Sequence, residues 1–269
     1  MEKLQAALEK ARHKRSTGTP PDAARPAAQP QAPTPPDDLH AMWQAVTPFE
    51  EVPEGLLRAR RVVTRQASPS ATPFDILRTK LLVQMRQNNW RRLAITSPMP
   101  AAGKSTVACN LALGLGRQRD MRSILMDLDL RTPSISDFFE TVPPHEIREL
   151  LTGEVSLQEQ ALRFGDNLIC SMAAVPESDP TRILLAEDTT DVLQDIEERY
   201  QPDLMIFDLP SVLVSDDTRA FLKNVDCALI VARTNSTRYS QLDICEREVA
   251  EQTNVLGTVL NAFPYGDKA

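Results

Sequence analysis

Long hydrophobic runs are missing from this chain of 269 residues. The apolar stretches, such as residues 227–232, are far shorter than the roughly 20 residues that a helix needs to cross a bilayer. The N-terminal residues carry charges where a signal peptide has its apolar region. The sequence therefore predicts a cytoplasmic protein with no direct membrane span.

Cysteine and histidine are also scarce. The four cysteines lie far apart with no CxxC pair, which indicates free thiols in a reducing compartment and argues against a zinc site. The three histidines have no carboxylate-rich surroundings, so the sequence does not predict histidine catalysis. The net charge of −7 argues against a nucleic-acid partner, because phosphate backbones are bound by basic surfaces.

Composition divides the chain into three parts. Residues 1–15 are predicted to form a helix, because apolar residues recur there at helical spacing. Residues 16–71 are predicted to be a tether, rich in proline up to about residue 38, and then an irregular lead-in whose packing the sequence leaves open. Residues 72–269 are predicted to form the folded domain.

In the predicted domain, short apolar runs alternate with amphipathic stretches. Five strands are predicted at residues 93–96, 124–126, 204–207, 227–231 and 256–260. Helices are predicted at residues 73–88, 104–117 and 240–252. Continuous apolar strands separated by helices are typical of a parallel sheet covered on both faces. We therefore predict a doubly wound, mainly parallel α/β fold.

A candidate phosphate-binding loop, residues 97–106, lies between the first predicted strand and the helix after it. Because proline has no N–H to donate, the predicted cradle consists of the amides after Pro100, which belong to Ala101, Ala102, Gly103, Lys104, Ser105 and Thr106. Lys104 is placed to reach the β- and γ-phosphates and Ser105 to ligate Mg²⁺. The alternative is a chance Gly-Lys-Ser at a helix start, which the order of strand, loop and helix argues against.

Three aspartates follow predicted strands. Asp127 and Asp129 come after the second strand, where alternation places both side chains on one side of the chain, and Asp208 ends the run at residues 204–207. Sheets of this class bind ligands at the carboxyl ends of their strands. A single aspartate there is more often a turn former, but the three together with Lys104 and Ser105 predict a metal–nucleotide site.

These motifs resemble those of bacterial tyrosine kinases, the cytoplasmic partners of polysaccharide chain-length regulators. The second phosphate-loop motif of that family is an apolar strand followed by Asp-x-Asp-x-Arg-x-Pro, which Asp127, Asp129, Arg131 and Pro133 reproduce. The resemblance covers about residues 73–261. It includes a helix similar to the family's oligomerisation helix, at residues 74–79, and a final strand that ends in Asn261.

The resemblance implies a P-loop NTPase fold of the MinD/ParA-like group and an ATP-dependent protein-tyrosine autokinase that regulates exopolysaccharide or capsule synthesis and export. It implies that Lys104, Ser105 and Asp208 hold Mg²⁺ and ATP, with Asp127 and Asp129 as base or metal support. The predicted catalytic residues are Lys104, Asp127, Asp129 and Asp208, and the predicted metal ligands are Ser105, Asp127 and Asp208. Thr106 would lie near the α-phosphate, and Asn261 would face the adenine.

The resemblance also implies partners. It implies a homo-oligomer and a transmembrane chain-length regulator that holds the chain at the inner membrane. Residues 1–15 are the candidate docking element. In the oligomerisation motif, however, Asp75 and Leu81 occupy the slots of a Glu and an Arg, which weakens the inference of a ring.

The tyrosine-rich tail that such kinases phosphorylate is absent, since the chain has three tyrosines. Tyr265 is the candidate phosphoacceptor, because Pro264 and Gly266 favour an extended, exposed chain around it. Tyr200 and Tyr239 stand beside predicted helices, and we expect them to be packed or partly ordered.

Two other functions stay open. A nucleotide switch that clamps the membrane regulator without efficient transfer fits the poor supply of tyrosine. A ParA- or MinD-type ATPase places a signature lysine five residues before the loop lysine, and Met99 in that slot argues against this function. Arg131 either neutralises phosphate or pairs with a carboxylate, and the family's Pro-Pro after the third aspartate is here Pro210-Ser211.

Overall fold

The computed structural model describes residues 36–49 and 52–262. The helix predicted at residues 1–15 and the candidate phosphoacceptor Tyr265 lie outside these ranges. The described elements, in chain order, are α1 (Pro36–Ala45), α2 (Glu54–Ala59), α3 (Thr72–Asn88), β1 (Arg92–Thr96), α4 (Lys104–Gly116), β2 (Ser123–Asp127), α5 (Ile135–Phe139), α6 (Ile147–Leu151), α7 (Leu157–Gln160), β3 (Leu162–Phe164), β4 (Leu168–Ser171), α8 (Pro180–Leu185), α9 (Glu187–Tyr200), β5 (Leu204–Asp208), α10 (Asp217–Leu222), β6 (Cys227–Arg233), α11 (Tyr239–Ala250) and β7 (Asn254–Asn261).

The strands form one sheet in the order β3-β4-β2-β5-β1-β6-β7. Neighbouring strands run parallel throughout, except that β3 pairs antiparallel with β4. The doubly wound, mainly parallel fold predicted from the sequence is confirmed, and all five predicted strands are present. The sequence analysis missed β3 and β4, because each has at most four residues and β3 carries Arg163 in its centre.

Two apolar cores cover the two faces of the sheet. Successive residues of one strand fall into different cores, as in β1, where Ala94 belongs to one core and Leu93 and Ile95 to the other. This division follows from the two-residue period of a strand. Because both faces are buried, the central strands are continuous apolar runs with polar residues only at their ends, which is what made them recognisable in the sequence.

The lead-in, predicted to be irregular, contains two helices where it is described, while residues 60–71 form neither helix nor strand. Residues from 36 onward belong to one compact unit, and α1 and α2 lie within it. Trp43 of α1 is fully buried, and its indole Nε1 donates a hydrogen bond to the carbonyl of Tyr200 at 2.8 Å. Phe49 continues the sheet edge, since its amide donates to the carbonyl of Arg163 at 2.8 Å.

The described helices are short. Within residues 36–49 and 52–262, none combines the length and the apolar character that a bilayer span requires.

Candidate nucleotide-binding site

The sheet register brings two of the predicted aspartates together. In the parallel pair β2–β5, Asp127 and Asp208 are direct partners at the last position of each strand. Both side chains are fully buried. The carboxyl ends of the two strands therefore place two carboxylates side by side beneath the loop that follows β1.

That loop has the backbone shape of a phosphate cradle. Gly103 has φ +95° and Ala101 has φ 60°, and a Cβ atom on Gly103 would collide with the Asn261 amide. The first hydrogen bond of α4 runs from the amide of Val107 to the carbonyl of Gly103, at 3.0 Å. The amides of residues 104–106 therefore precede the first hydrogen bond of the helix and have no acceptor within it, so they can bind an anion.

Lys104 points into the site and is paired there. Its side chain is 9% exposed, and its Nζ lies 3.7 Å from Asp129 Oδ2. The same Nζ lies 3.5 Å from the hydroxyl of Ser211. The other Asp129 oxygen accepts hydrogen bonds from the amide of Thr132 at 3.3 Å and from its hydroxyl at 3.0 Å. Asp129 thus holds the lysine and orders the loop after β2.

Asp127 is an anchoring carboxylate. One oxygen accepts hydrogen bonds from the amides of Ser134 and Ile135, at 3.0 Å and 2.9 Å, and the other accepts one from the amide of Asp129 at 3.3 Å. Burial and the negative charge of Asp208 raise the pKa of Asp127 well above its ordinary value, and the two amides at Ser134 and Ile135 act against that shift. Asp127 therefore shapes the loop that presents Asp129.

Asp208 lacks the hydrogen bonds that Asp127 accepts. Within the described part of the chain, neither of its carboxylate oxygens makes a hydrogen bond of normal geometry, although the Ser105 hydroxyl lies near enough to stabilise the charged form. Burial raises the pKa of Asp208 to about 7, although Lys104 and the Ser105 hydroxyl favour its charged form. A buried carboxylate without a partner is costly, which indicates a role toward a group that binds at this site.

These residues fit a magnesium site that the ligand completes. The Ser105 hydroxyl accepts a hydrogen bond from Ser134 at 2.9 Å and stands beside the orphaned Asp208. No group of three or more histidine, cysteine, aspartate or glutamate side chains able to hold a metal occurs in the described residues. Mg²⁺ usually keeps several waters and uses one or two carboxylates plus phosphate oxygens, so such a cluster is not required.

A cavity of about 680 Å³ opens above these groups. Four residues of the predicted set line it, namely Ala101, Lys104, Ser105 and Asp129. The other lining residues are Pro100, Arg131, Thr132, Ser134, Thr181, Pro210, Ser211, Val214, Ser215 and Asp216. Asp127 and Asp208 lie behind this surface. Their action on a bound metal would therefore run through water or through Ser105.

Arg131 forms an ion pair with a carboxylate, which is one of the two roles that the sequence left open. Its Nε and Nη2 donate to the two oxygens of Asp217 at 2.6 Å and 3.1 Å, and Thr181 donates to the same carboxylate at 2.5 Å. Burial acts to raise the pKa of Asp217, but the hydrogen bonds from Arg131 and Thr181 help to bring it below its ordinary value. The pair ties three segments together at the mouth of the cavity.

Asn261 lies against the phosphate loop. Its Nδ2 donates to the carbonyl of Ala102 at 2.9 Å, and Arg233 Nη1 donates to the carbonyl of Ala101 at 2.7 Å. The last two strands therefore support the loop from one side.

Four residues of the site were not assigned a role there from the sequence: Ser134, Ser211, Asp217 and Arg233. The signal for Ser211 was its place beside Pro210, which the sequence analysis noted only as a departure. The other three follow no motif, and the tertiary fold alone brings them to the site.

Comparison with known proteins agrees with this geometry. No protein-family model matches the chain. A putative tyrosine-protein kinase EpsB of Ralstonia nicotianae is 27% identical over 213 residues, which are 77% of this chain and 27% of that protein. Tyrosine-protein kinase YwqD of Bacillus subtilis is 22% identical over 201 residues, 74% of this chain and 84% of that protein. The chain resembles bacterial tyrosine-protein kinases. The resemblance predicted from its motifs is confirmed.

Solved structures show the same fold. The kinase domain of Escherichia coli tyrosine kinase ETK superposes with a TM-score of 0.71 at 22% identity, over 84% of this chain and 86% of that one. The cell division ATPase MinD of Pyrococcus furiosus gives a TM-score of 0.54 at 22% identity, over 66% and 74%. The fold is that of the MinD/ParA-like P-loop NTPases, as predicted. The match spans only 27% and 23% of the first two curated relatives.

Proposed function

We propose that the chain is an ATP-dependent protein-tyrosine kinase linked to exopolysaccharide or capsule synthesis and export. The observation that carries this proposal is the orphaned Asp208 carboxylate, fully buried beside Ser105 and the N-terminus of α4. A magnesium nucleotide would give the carboxylate the positive charge it lacks. The similarity to tyrosine-protein kinases supports a tyrosine hydroxyl as the acceptor of the phosphoryl group.

Phosphoryl transfer depends on positioning and charge neutralisation, and different residues of the candidate site would supply each. The amides of residues 101–106 bind phosphate oxygens, and Lys104 exchanges Asp129 for the β- and γ-phosphates. Mg²⁺, when bound, would neutralise the charge that develops on the transferred group; Ser105 would ligate it, and Asp208 would act on it through water or through Ser105. Asp129 lines the cavity, so it is the carboxylate placed to receive the proton of an incoming hydroxyl, while Asp127 positions it.

We extend the proposal to a transmembrane chain-length regulator as partner, which would hold the chain at the cytoplasmic face of the inner membrane, and to a homo-oligomer. The described helix α3 uses its charges within the chain: Asp75 lies 2.9 Å from Arg78 and 3.0 Å from Arg117. Arg78 also donates to the carbonyl of Gly114 at 2.6 Å. An oligomer built on α3 would therefore have to use its other side chains.

Phosphorylation of a random glutamate–tyrosine copolymer tests the proposal. The wild-type chain, incubated with Mg²⁺ and ATP, should form phosphotyrosine on the copolymer, and Lys104→Met should not. Titration calorimetry on the same samples measures ATP binding separately. Binding without phosphotyrosine would refute the kinase and favour the nucleotide switch. Release of inorganic phosphate alone would favour a ParA- or MinD-type ATPase, although Met99 at the signature position has no amine to offer.

A further inference from the structure

The structure separates the two described tyrosines by exposure. Tyr200 is 3% exposed, and its ring meets the Trp43 ring edge-on at a centroid distance of 6.3 Å. Burial also raises the pKa of the Tyr200 hydroxyl, so this side chain is withdrawn from any phosphate donor. Tyr239 is 93% exposed. Of the two alternatives expected for Tyr239, packed or partly ordered, the structure excludes packing, while its backbone is ordered at the start of α11.

Tyr239 lies at the same edge of the sheet as the phosphate loop. Strand β6 ends at Arg233, whose guanidinium holds the loop carbonyl of Ala101. The chain then turns tightly, since the amide of Thr237 donates to the carbonyl of Arg233 at 2.9 Å and the Thr237 hydroxyl accepts from the Arg233 amide at 2.8 Å. Tyr239 follows two residues later as the first residue of α11.

The backbone around Tyr239 is fixed while its ring stays in solvent. The carbonyl of Arg238 accepts hydrogen bonds from the amides of Gln241 and Leu242, both at 3.0 Å. The amide of Arg238 donates to Gln241 Oε1 at 3.0 Å, which closes the first turn of α11. Residues 234–242 contain no carboxylate, and the carboxylate of Asp243, one turn further along the helix, is paired with Arg247 at 2.7 Å. A phosphate on Tyr239 would therefore meet the cation of Arg238 and the positive end of a helix of 12 residues, which favour added negative charge.

We propose that Tyr239 is a self-phosphorylation site, modified by the active site of a second copy of the chain. The inference rests on the proposed kinase function. Tyr239 does not line the cavity of its own chain, which assigns the transfer to another copy. The Tyr239 hydroxyl oxygen bonds to the γ-phosphorus of ATP, the bond from that phosphorus to the β–γ bridging oxygen breaks, and ADP leaves. The phenolic proton passes to a carboxylate of the donor copy and then to water.

Phosphosite mapping of the full-length chain tests this inference. After incubation with Mg²⁺ and ATP, we expect phosphate on Tyr239, and loss of that phosphate in Tyr239→Phe. Because the side chain is exposed, this substitution should leave the thermal midpoint and the phosphorylation of the glutamate–tyrosine copolymer unchanged. Tyr265→Phe is the matched control and should retain the phosphate on Tyr239.

Transfer between copies is tested by mixing. A tagged Lys104→Met chain serves as acceptor and untagged Tyr239→Phe as donor, and phosphate should appear on Tyr239 of the tagged chain. Phosphate on Tyr265 or on another residue, with Tyr239 unmodified, would overturn the inference and leave the kinase proposal intact. Copolymer phosphorylation without any self-phosphorylation would do the same. Absence of both activities would instead refute the kinase function, and this inference with it.

Discussion

Replacing Asp208 with asparagine should stabilise the nucleotide-free protein at alkaline pH. The wild-type carboxylate is fully buried, and neither oxygen makes a hydrogen bond of normal geometry in the described structure. Because burial raises its folded-state pKa above the unfolded value, the stability it contributes is present at low pH. That stability is lost as the pH rises through the folded pKa of about 7. Asparagine does not ionise, so the stability of the variant does not fall with rising pH for this reason.

The size of the effect follows from the shift. Burial raises the pKa of Asp208 from 3.8 to about 7, a difference of about 3. Because each pKa unit corresponds to about 1.4 kcal/mol, the charged carboxylate lowers the unfolding free energy by about 4 kcal/mol at a pH above both values. The asparagine amide is itself left unpaired in the same place, at a cost of about 1–3 kcal/mol. The net gain in unfolding free energy should therefore be about 1–3 kcal/mol near pH 8, and it should shrink or reverse near pH 5.

Urea unfolding of the nucleotide-free protein at the two pH values measures this difference. Asp166→Asn is a suitable control, because that side chain is 88% exposed and its substitution should change stability equally little at both pH values. The same Asp208→Asn variant should bind Mg²⁺ and ATP less tightly. If Asp208→Asn lowers stability by the same amount at both pH values, the carboxylate is not a strained, unpaired group and the reasoning fails.

Three further predictions concern the site and the N-terminal segment. Lys104→Met should weaken ATP binding by about ten- to a hundredfold, since charge-assisted hydrogen bonds contribute about 1.5–3 kcal/mol. Calorimetry should show this, and circular dichroism should show that the variant still folds, although loss of the buried pair with Asp129 should lower its thermal midpoint. Asp217→Asn should cost about 1–2 kcal/mol of unfolding free energy, because the pair with Arg131 is half-exposed on the arginine side. A double-mutant cycle with Arg131→Gln that shows no coupling would contradict this. Deletion of residues 1–33 should leave ATP affinity unchanged and reduce co-purification with the chain-length regulator, whereas full co-purification would place docking on the folded unit.

The sequence predicted the parts of the fold that depend on local pattern. Buried parallel strands are continuous apolar runs, and the loop before Lys104 carries its own helix start, so the centre of the sheet and the phosphate loop were recognisable. Strand β3 was not, because three residues with Arg163 in the middle have no strand pattern. The helix around Trp43 was missed because its burial depends on a distant partner, the carbonyl of Tyr200.

In the candidate site, too, the sequence predicted what depends on local pattern and missed what depends on tertiary contacts. Motif spacing identified Asp127, Asp129 and Asp208 as a set, but it could not separate their roles, since all three are aspartates at strand ends. Their contacts separate them. Asp127 accepts hydrogen bonds from three amides, Asp129 pairs with Lys104, and Asp208 makes no hydrogen bond of normal geometry within residues 36–49 and 52–262. These differences depend on the path of the loop after β2, which residue type does not encode.

Ser211 shows how a departure from a motif becomes interpretable in a structure. Where the resembling family has a second proline, this chain places a hydroxyl 3.0 Å from the Ser97 hydroxyl and 3.5 Å from Lys104 Nζ. Proline could make neither contact, because its ring carries no hydrogen-bonding group. The substitution thus joins the start of the phosphate loop, the loop lysine and the segment after β5 in one polar contact. A departure that had counted only against the resemblance is, in the structure, part of how this chain holds Lys104 beside Asp129.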